Sequence, residues 1–142
     1  MKQKSTNENS DRGASAVEFA LLAPILLLMV FGAVEFGRAF WYKQELVAAV
    51  REGARAGIIQ TSPRPTAQFI HDKIYNYLVA QGMSAATVPT PTPCSASGAT
   101  LTVTASYPVS TGLLSNLQKL VGGSSAFTAT RTLTSSVSMQ CE

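Results

Sequence analysis

Glu18 is the residue whose setting most demands chemistry. It is the only charged side chain between Gly13 and Val34. A carboxylate at the centre of a membrane-spanning helix costs about 2.5–3.5 kcal/mol on insertion scales, and less near its edge, so such a group is normally kept because it has a partner. The other reading is a boundary residue whose carboxylate reaches the headgroups. Cys94 and Cys141 are the two thiols of the chain. An even pair confined to the C-terminal part, with no cluster of histidines and carboxylates around it, favours one disulfide over a metal site, with two unpaired thiols as the alternative. A bridge would tie the C-terminus back to the middle of its domain. His71 is the single histidine, and on a helix Asp72 beside it projects about 100° away. A lone histidine of this kind faces solvent more often than it acts as a base. No G-x-S-x-G nucleophile, phosphate-binding glycine loop or metal-spaced cluster accompanies it. The expectation is therefore no catalytic residue, no cofactor or metal, and no small-molecule substrate.

The element that must carry Glu18 is long. Residues 14–34 hold 21 positions, and a helix of that length spans about 30 Å, the thickness of the hydrocarbon layer. A secretory signal would have a shorter apolar run ending in a small-x-small site, whereas this one ends in Val34-Glu35-Phe36-Gly37-Arg38. Pro24 lacks the N–H for one helical bond, so a kink or loosened turn is expected there. From Glu35 to Gly57 there is no further proline, and Ala, Leu, Glu, Gln and Arg dominate, so one rod is expected from Ala14 to about Ala56. Phe40, Trp41 and Tyr42 fall just past the apolar run, where amphipathic rings favour the water interface or pack against a following domain. Ala16 and Ala20, Ala33 and Gly37, and Gly53 and Gly57 are each four apart, a spacing that lets helix backbones approach closely and predicts contact with neighbouring helices.

Charge argues about topology and against one class of partner. The first 13 residues have no apolar side chain after Met1 and read as a disordered cytosolic leader. The net charge of +3 arises mainly from cations flanking the apolar run: Lys2, Lys4 and Arg12 before it, and Arg38, Lys43, Arg51 and Arg55 after it. Residues 58–142 carry only Arg64, Lys73, Lys119 and Arg131 against Asp72 and Glu142, too sparse for a nucleic-acid surface. Counting cations does not fix the orientation. The short polar leader and the cysteine-bearing domain place the leader inside and the domain outside.

Arg12-Gly13-Ala14-Ser15-Ala16-Val17-Glu18-Phe19-Ala20 resembles a prepilin peptidase site, with cleavage after Gly13 and a glutamate at the fifth mature position. Glycine suits a scissile position because it lets a protease approach an extended backbone. Together with Ala49-Val50-Arg51-Glu52-Gly53-Ala54-Arg55-Ala56-Gly57, the segment resembles the TadE-like family, minor pilins or pseudopilins of the tight-adherence, Flp-type pilus and secretion systems. The resemblance runs over residues 12–57. It implies a protein trimmed between Gly13 and Ala14 and held in the bacterial inner membrane as a single-pass protein, with a cytoplasmic N-terminus and a periplasmic domain. Its partners would be membrane lipid, the prepilin peptidase, other pilin-like subunits and the assembly platform. Glu18 would pair with the freed amino group of Ala14, in the same chain or a neighbour, since an ammonium and a carboxylate in low dielectric each need a counter-charge.

The remaining stretch, residues 58–142, reads as a small α+β domain. Ser62-Pro63-Arg64-Pro65 ends the rod, and Phe69, Ile70, Ile74, Tyr77 and Leu78 predict an amphipathic helix over 66–81. Pro89-Thr90-Pro91-Thr92-Pro93 is an extended spacer. Leu101, Val103, Ala105 and Tyr107 alternate as one strand, and Phe127, Ala129, Arg131, Leu133, Val137 and Met139 as a second, giving an antiparallel sheet. Leu113, Leu114, Leu117, Leu120 and Val121 suggest a short helix or packed loop between them. Three functions compete: a pilin-like subunit with its leader removed, a bitopic membrane protein with an uncleaved anchor and a partner-binding domain, and a secreted protein released from a discarded signal. The first is preferred.

Overall fold

The computed structural model describes residues 8–110, 112 and 130–142. Four elements follow in chain order: helix α1 (Glu8–Ile58), helix α2 (Ala67–Ala80), strand β1 (Thr100–Val109) and strand β2 (Arg131–Gln140). The fold is α+β, with a long apolar N-terminal helix, a second helix and a two-stranded antiparallel sheet. Two compact units divide the chain at Phe36 and Gly37.

In the first unit the side chains of Leu21, Leu22, Leu26 and Met29 are exposed. This helix is long and apolar enough to cross a membrane, and nothing in its most apolar window is buried. It runs through Pro24 as one helix. Its start corrects the sequence expectation, because α1 begins at Glu8, inside the segment read as a disordered leader. Nucleation is the costly step of helix formation and extension adds one bond per residue fixed, so a strong apolar helix carries a few polar residues with it. Residues 1–7 of that leader lie outside the described residues, as does the Arg12 side chain.

The second unit is a core built on three surfaces. Leu46, Ala49, Val50 and Ala54 are fully buried along one stripe of α1, at the three-and-four spacing of an amphipathic helix. Ile70, Ile74 and Leu78 form the matching stripe of α2. That helix starts where Thr66 Oγ1 accepts a hydrogen bond from the Phe69 N–H at 3.2 Å, which satisfies an amide the first turn would leave unpaired. It ends at Gln81 and Gly82, the latter with φ +78°, a left-handed turn that glycine adopts without a Cβ clash.

β1 and β2 pair from Thr100↔Gln140 to Val109↔Arg131. Leu101, Val103 and Ala105 point into the core, while Thr102 and Thr104 meet Ser138 and Ser136 on the outer face at 2.9 and 3.0 Å. The period of two sorts apolar from hydroxylated side chains. Leu133, Val137 and Met139 of β2 pack against the same core, partly buried. Thr87 bridges Ser106 at the other edge of β1, and Val88 and Pro91 after it are buried, so the proline-rich segment lines the core. Each large side chain buried this way contributes about 1.5–3 kcal/mol of transfer free energy. Phe127 and Ala129, expected on the second strand, and the leucine-rich stretch from Leu113 to Val121 lie outside the described residues.

Candidate functional site

Gly13, Ala14, Ala16, Glu18 and Ala20 all lie on the first unit's helix, and all are exposed. A Cβ built on Gly13 would meet no atom within 4 Å, so the backbone at the Gly13–Ala14 bond is unobstructed by the described residues. Ala14 and Glu18 are four residues apart on α1, and residues at that spacing stack on one face of a helix. An amino group at Ala14 would thus emerge on the face that carries the Glu18 carboxylate. Glu18 makes no ion pair among the described residues. Ala33 and Gly37 are exposed as well, and Gly37 has nothing within 4 Å of where its Cβ would be.

Gly53 and Gly57 share the four-residue spacing and serve a different purpose. A Cβ on Gly53 would run into the Ile74 side chain, and one on Gly57 would lie 2.6 Å from Leu101 Cδ2 and 2.8 Å from Ile70 Cδ1. These glycines let α2 and β1 close onto α1 within the domain. The expectation that this pair contacts helices of other pilin-like subunits is therefore corrected, because its space is already filled from within the chain. Small residues four apart encode close approach but not the identity of what approaches.

Cys94 and Cys141 form a disulfide across a separation of 47 residues, with Cα atoms 5.9 Å apart. Both are buried. The Cys141 N–H donates to Ala99 O at 2.8 Å and the Gly98 N–H to Cys141 O at 2.8 Å, continuing the β1–β2 ladder to the bridge.

His71 departs from expectation. Its Nδ1 lies 2.9 Å from Asp72 Oδ1, although adjacent positions on a helix diverge. Its ring also stacks on Tyr75, with centroids 5.9 Å apart. The hydrogen bond from His71, followed by one from Gln68 at 2.7 Å, holds the Asp72 carboxyl below its ordinary value. Among the described residues no group of three or more His, Cys, Asp or Glu side chains is placed to hold a metal.

The aromatic run divides in two. Phe40 and Trp41 are exposed, whereas Tyr42 packs on the core with its ring 4.9 Å from that of Tyr107. Burial raises the pKa of the Tyr107 phenol, with Tyr42 adding to the effect. Sequence reading missed a second anchor, the Tyr77 hydroxyl donating to Glu45 Oε2 at 3.1 Å. Burial and then that carboxylate raise the Tyr77 pKa. Tyr77 follows Ile70 and Ile74 at helical spacing, which marks it as inward-facing, but a partner 32 residues away leaves no mark in local sequence.

No curated protein and no solved structure matches the chain. Residues 13–55, a stretch that opens on Gly13 and takes in Glu18 and Gly53, match the model of the TadE-like protein family, so the likeness lies along the N-terminal helix.

Proposed function

We propose that the chain is a minor pilin-like subunit of Tad, Flp-type pilus assembly, a membrane-anchored structural component rather than an enzyme. The observation that carries this reading is the TadE-like match over residues 13–55, which begins at the glycine where trimming is proposed. A prepilin peptidase would cut between Gly13 and Ala14. The helix from Ala14 onward would stay in the inner membrane, with the N-terminus cytoplasmic and the disulfide-bonded domain periplasmic, a compartment in which disulfides persist. Glu18 would then pair with the new amino group of Ala14 in its own or a neighbouring subunit, removing two uncompensated charges from lipid. The exposed Ala16, Ala20, Ala33 and Gly37 offer other pilin-like helices a close approach.

The test is the N-terminal sequence of the protein extracted from membranes of its native host. A mature chain starting at Ala14 supports prepilin-type processing. A start at Met1 would replace this reading with an uncleaved bitopic anchor and a partner-binding domain, and a start beyond Ala33 with a secreted domain.

A further inference from the structure

Within the second unit, the last turns of α1 and the first turns of α2 border an open cleft of about 540 Å³, within the size range of natural ligand pockets. Its apolar floor includes Ile59 and Phe69, large side chains 46% and 51% exposed. Arg55 and Lys73 stand on its walls with Glu52. A second cleft continues it, sharing Thr61, Pro65 and Phe69 and adding Arg64. Thr66, the N-cap of α2, lines that extension, so the positive end of the helix dipole opens there too.

The charges are unbalanced, with three cations, Arg55, Arg64 and Lys73, against the single carboxylate of Glu52. Arg64 is also unsatisfied. Its Nη2 donates to Glu142 O at 3.2 Å, but its Nη1 is buried and has no acceptor among the described residues. Buried donors in folded proteins nearly always have a partner, and one without asks for an explanation. The buried Nη1 is closed to a ligand, so what the cleft offers is an apolar floor bordered by cations, which is complementary to an apolar side chain beside a carboxylate.

We propose that this cleft docks a partner polypeptide through a segment in which an acidic residue adjoins an apolar one. The apolar side chain rests on Ile59 and Phe69, and the carboxylate is held among Arg64, Arg55 and Lys73. The inference does not rest on the pilus reading, and its test leaves that reading untouched.

The experiment is a titration of the isotope-labelled full chain in detergent micelles with an end-blocked pentapeptide alternating leucine and aspartate, followed by NMR. Saturable shifts at Phe69 and at the side chains of Arg55, Arg64 and Lys73 are expected. Affinity should fall about ten-fold, the loss of one charge-assisted contact, for a peptide with asparagine in place of aspartate. Arg64→Gln should lower affinity similarly, and Lys73→Gln provides the same reading at a position whose loss leaves the fold intact. Absence of saturable shifts would overturn the proposal. Equal affinity for the asparagine peptide would overturn the role of the cations, and the same shifts with inorganic phosphate alone would replace a peptide site with a simple anion site.

Discussion

Leu22, Leu26 and Met29 in the first part of α1 and Leu46, Val50 and Ala54 in its second part are comparable side chains on one helix. The first three are 64%, 62% and 72% exposed, while the last three are fully buried. Within the second unit the buried apolar positions of α1 lie on one stripe, which α2 and β1 cover. Within the first unit they surround the helix, as happens when the solvent itself is apolar. The same residue types therefore do two jobs. In the domain they make a core whose loss is measurable as stability, and in the first unit they make an exposed apolar surface long enough to cross a membrane.

The sharpest way to break this comparison is Glu18→Ala. The change should abolish pilus assembly in the native host while leaving membrane insertion and the unfolding of the domain unaltered; normal piliation would mean that the carboxylate has no structural partner. In the domain the largest stability effect belongs to the double change Cys94→Ser and Cys141→Ser. Opening a loop closed across 47 residues should cost about 4 kcal/mol on the chain-entropy account, read as a lower denaturation midpoint of the full chain in detergent. Ile74→Ala follows. Its fully buried side chain predicts a loss of about 3 kcal/mol, whereas Leu26→Ala should change the same midpoint by less than about 0.5 kcal/mol.

One substitution made at a filled and at an open position of α1 separates the two by sign. Gly53→Ala introduces a methyl into the Ile74 side chain, at a cost of about 1–3 kcal/mol for overpacking, partly offset by about 1 kcal/mol of helix propensity. Gly37→Ala meets nothing within 4 Å and should strengthen the helix by about 0.5–1 kcal/mol. If Gly37→Ala leaves helix content unchanged but lowers assembly, Gly37 is needed for contact with another helix.

The glycines also show where sequence reading succeeds and where it stops. Helix α2 was legible to within a residue, because Ile70, Ile74 and Leu78 repeat at helical spacing and Gly82 follows. β1 was legible because Leu101, Val103 and Ala105 alternate with threonines. These signals are local. The filling of Gly53 and Gly57 from within the chain was not legible, since it depends on residues 13 to 44 positions away. The same limit hid the Tyr77–Glu45 hydrogen bond and the cleft around Arg64, which forms only when the loop after α1 meets α2. At the candidate site the balance is reversed: Gly13, Ala14 and Glu18 were singled out by the family resemblance, and the fold adds little to them because the single chain leaves them exposed.

The smallest expected effect lies on the solvent face of α2. His71 Nδ1 and the Gln68 amide both donate to Asp72 Oδ1, and two such bonds favour the ionised carboxyl, so Asp72 titrates below its ordinary value of 3.8 in the folded protein. Folding is therefore assisted by this group at pH above the unfolded value, and the assistance is lost as pH falls through the lower, folded value. His71→Ala removes the larger cause. The Asp72 carboxyl resonance, followed by NMR from neutral pH downward, should then titrate at higher pH than in the parent protein, while the resonances of Ile74 on the buried face of the same helix stay in place. An unchanged Asp72 titration would show that the His71 bond is not formed in solution. Displacement of Ile74 would show instead that the stacked His71–Tyr75 pair supports the core, blurring the division between a helix face that packs and one that only meets water.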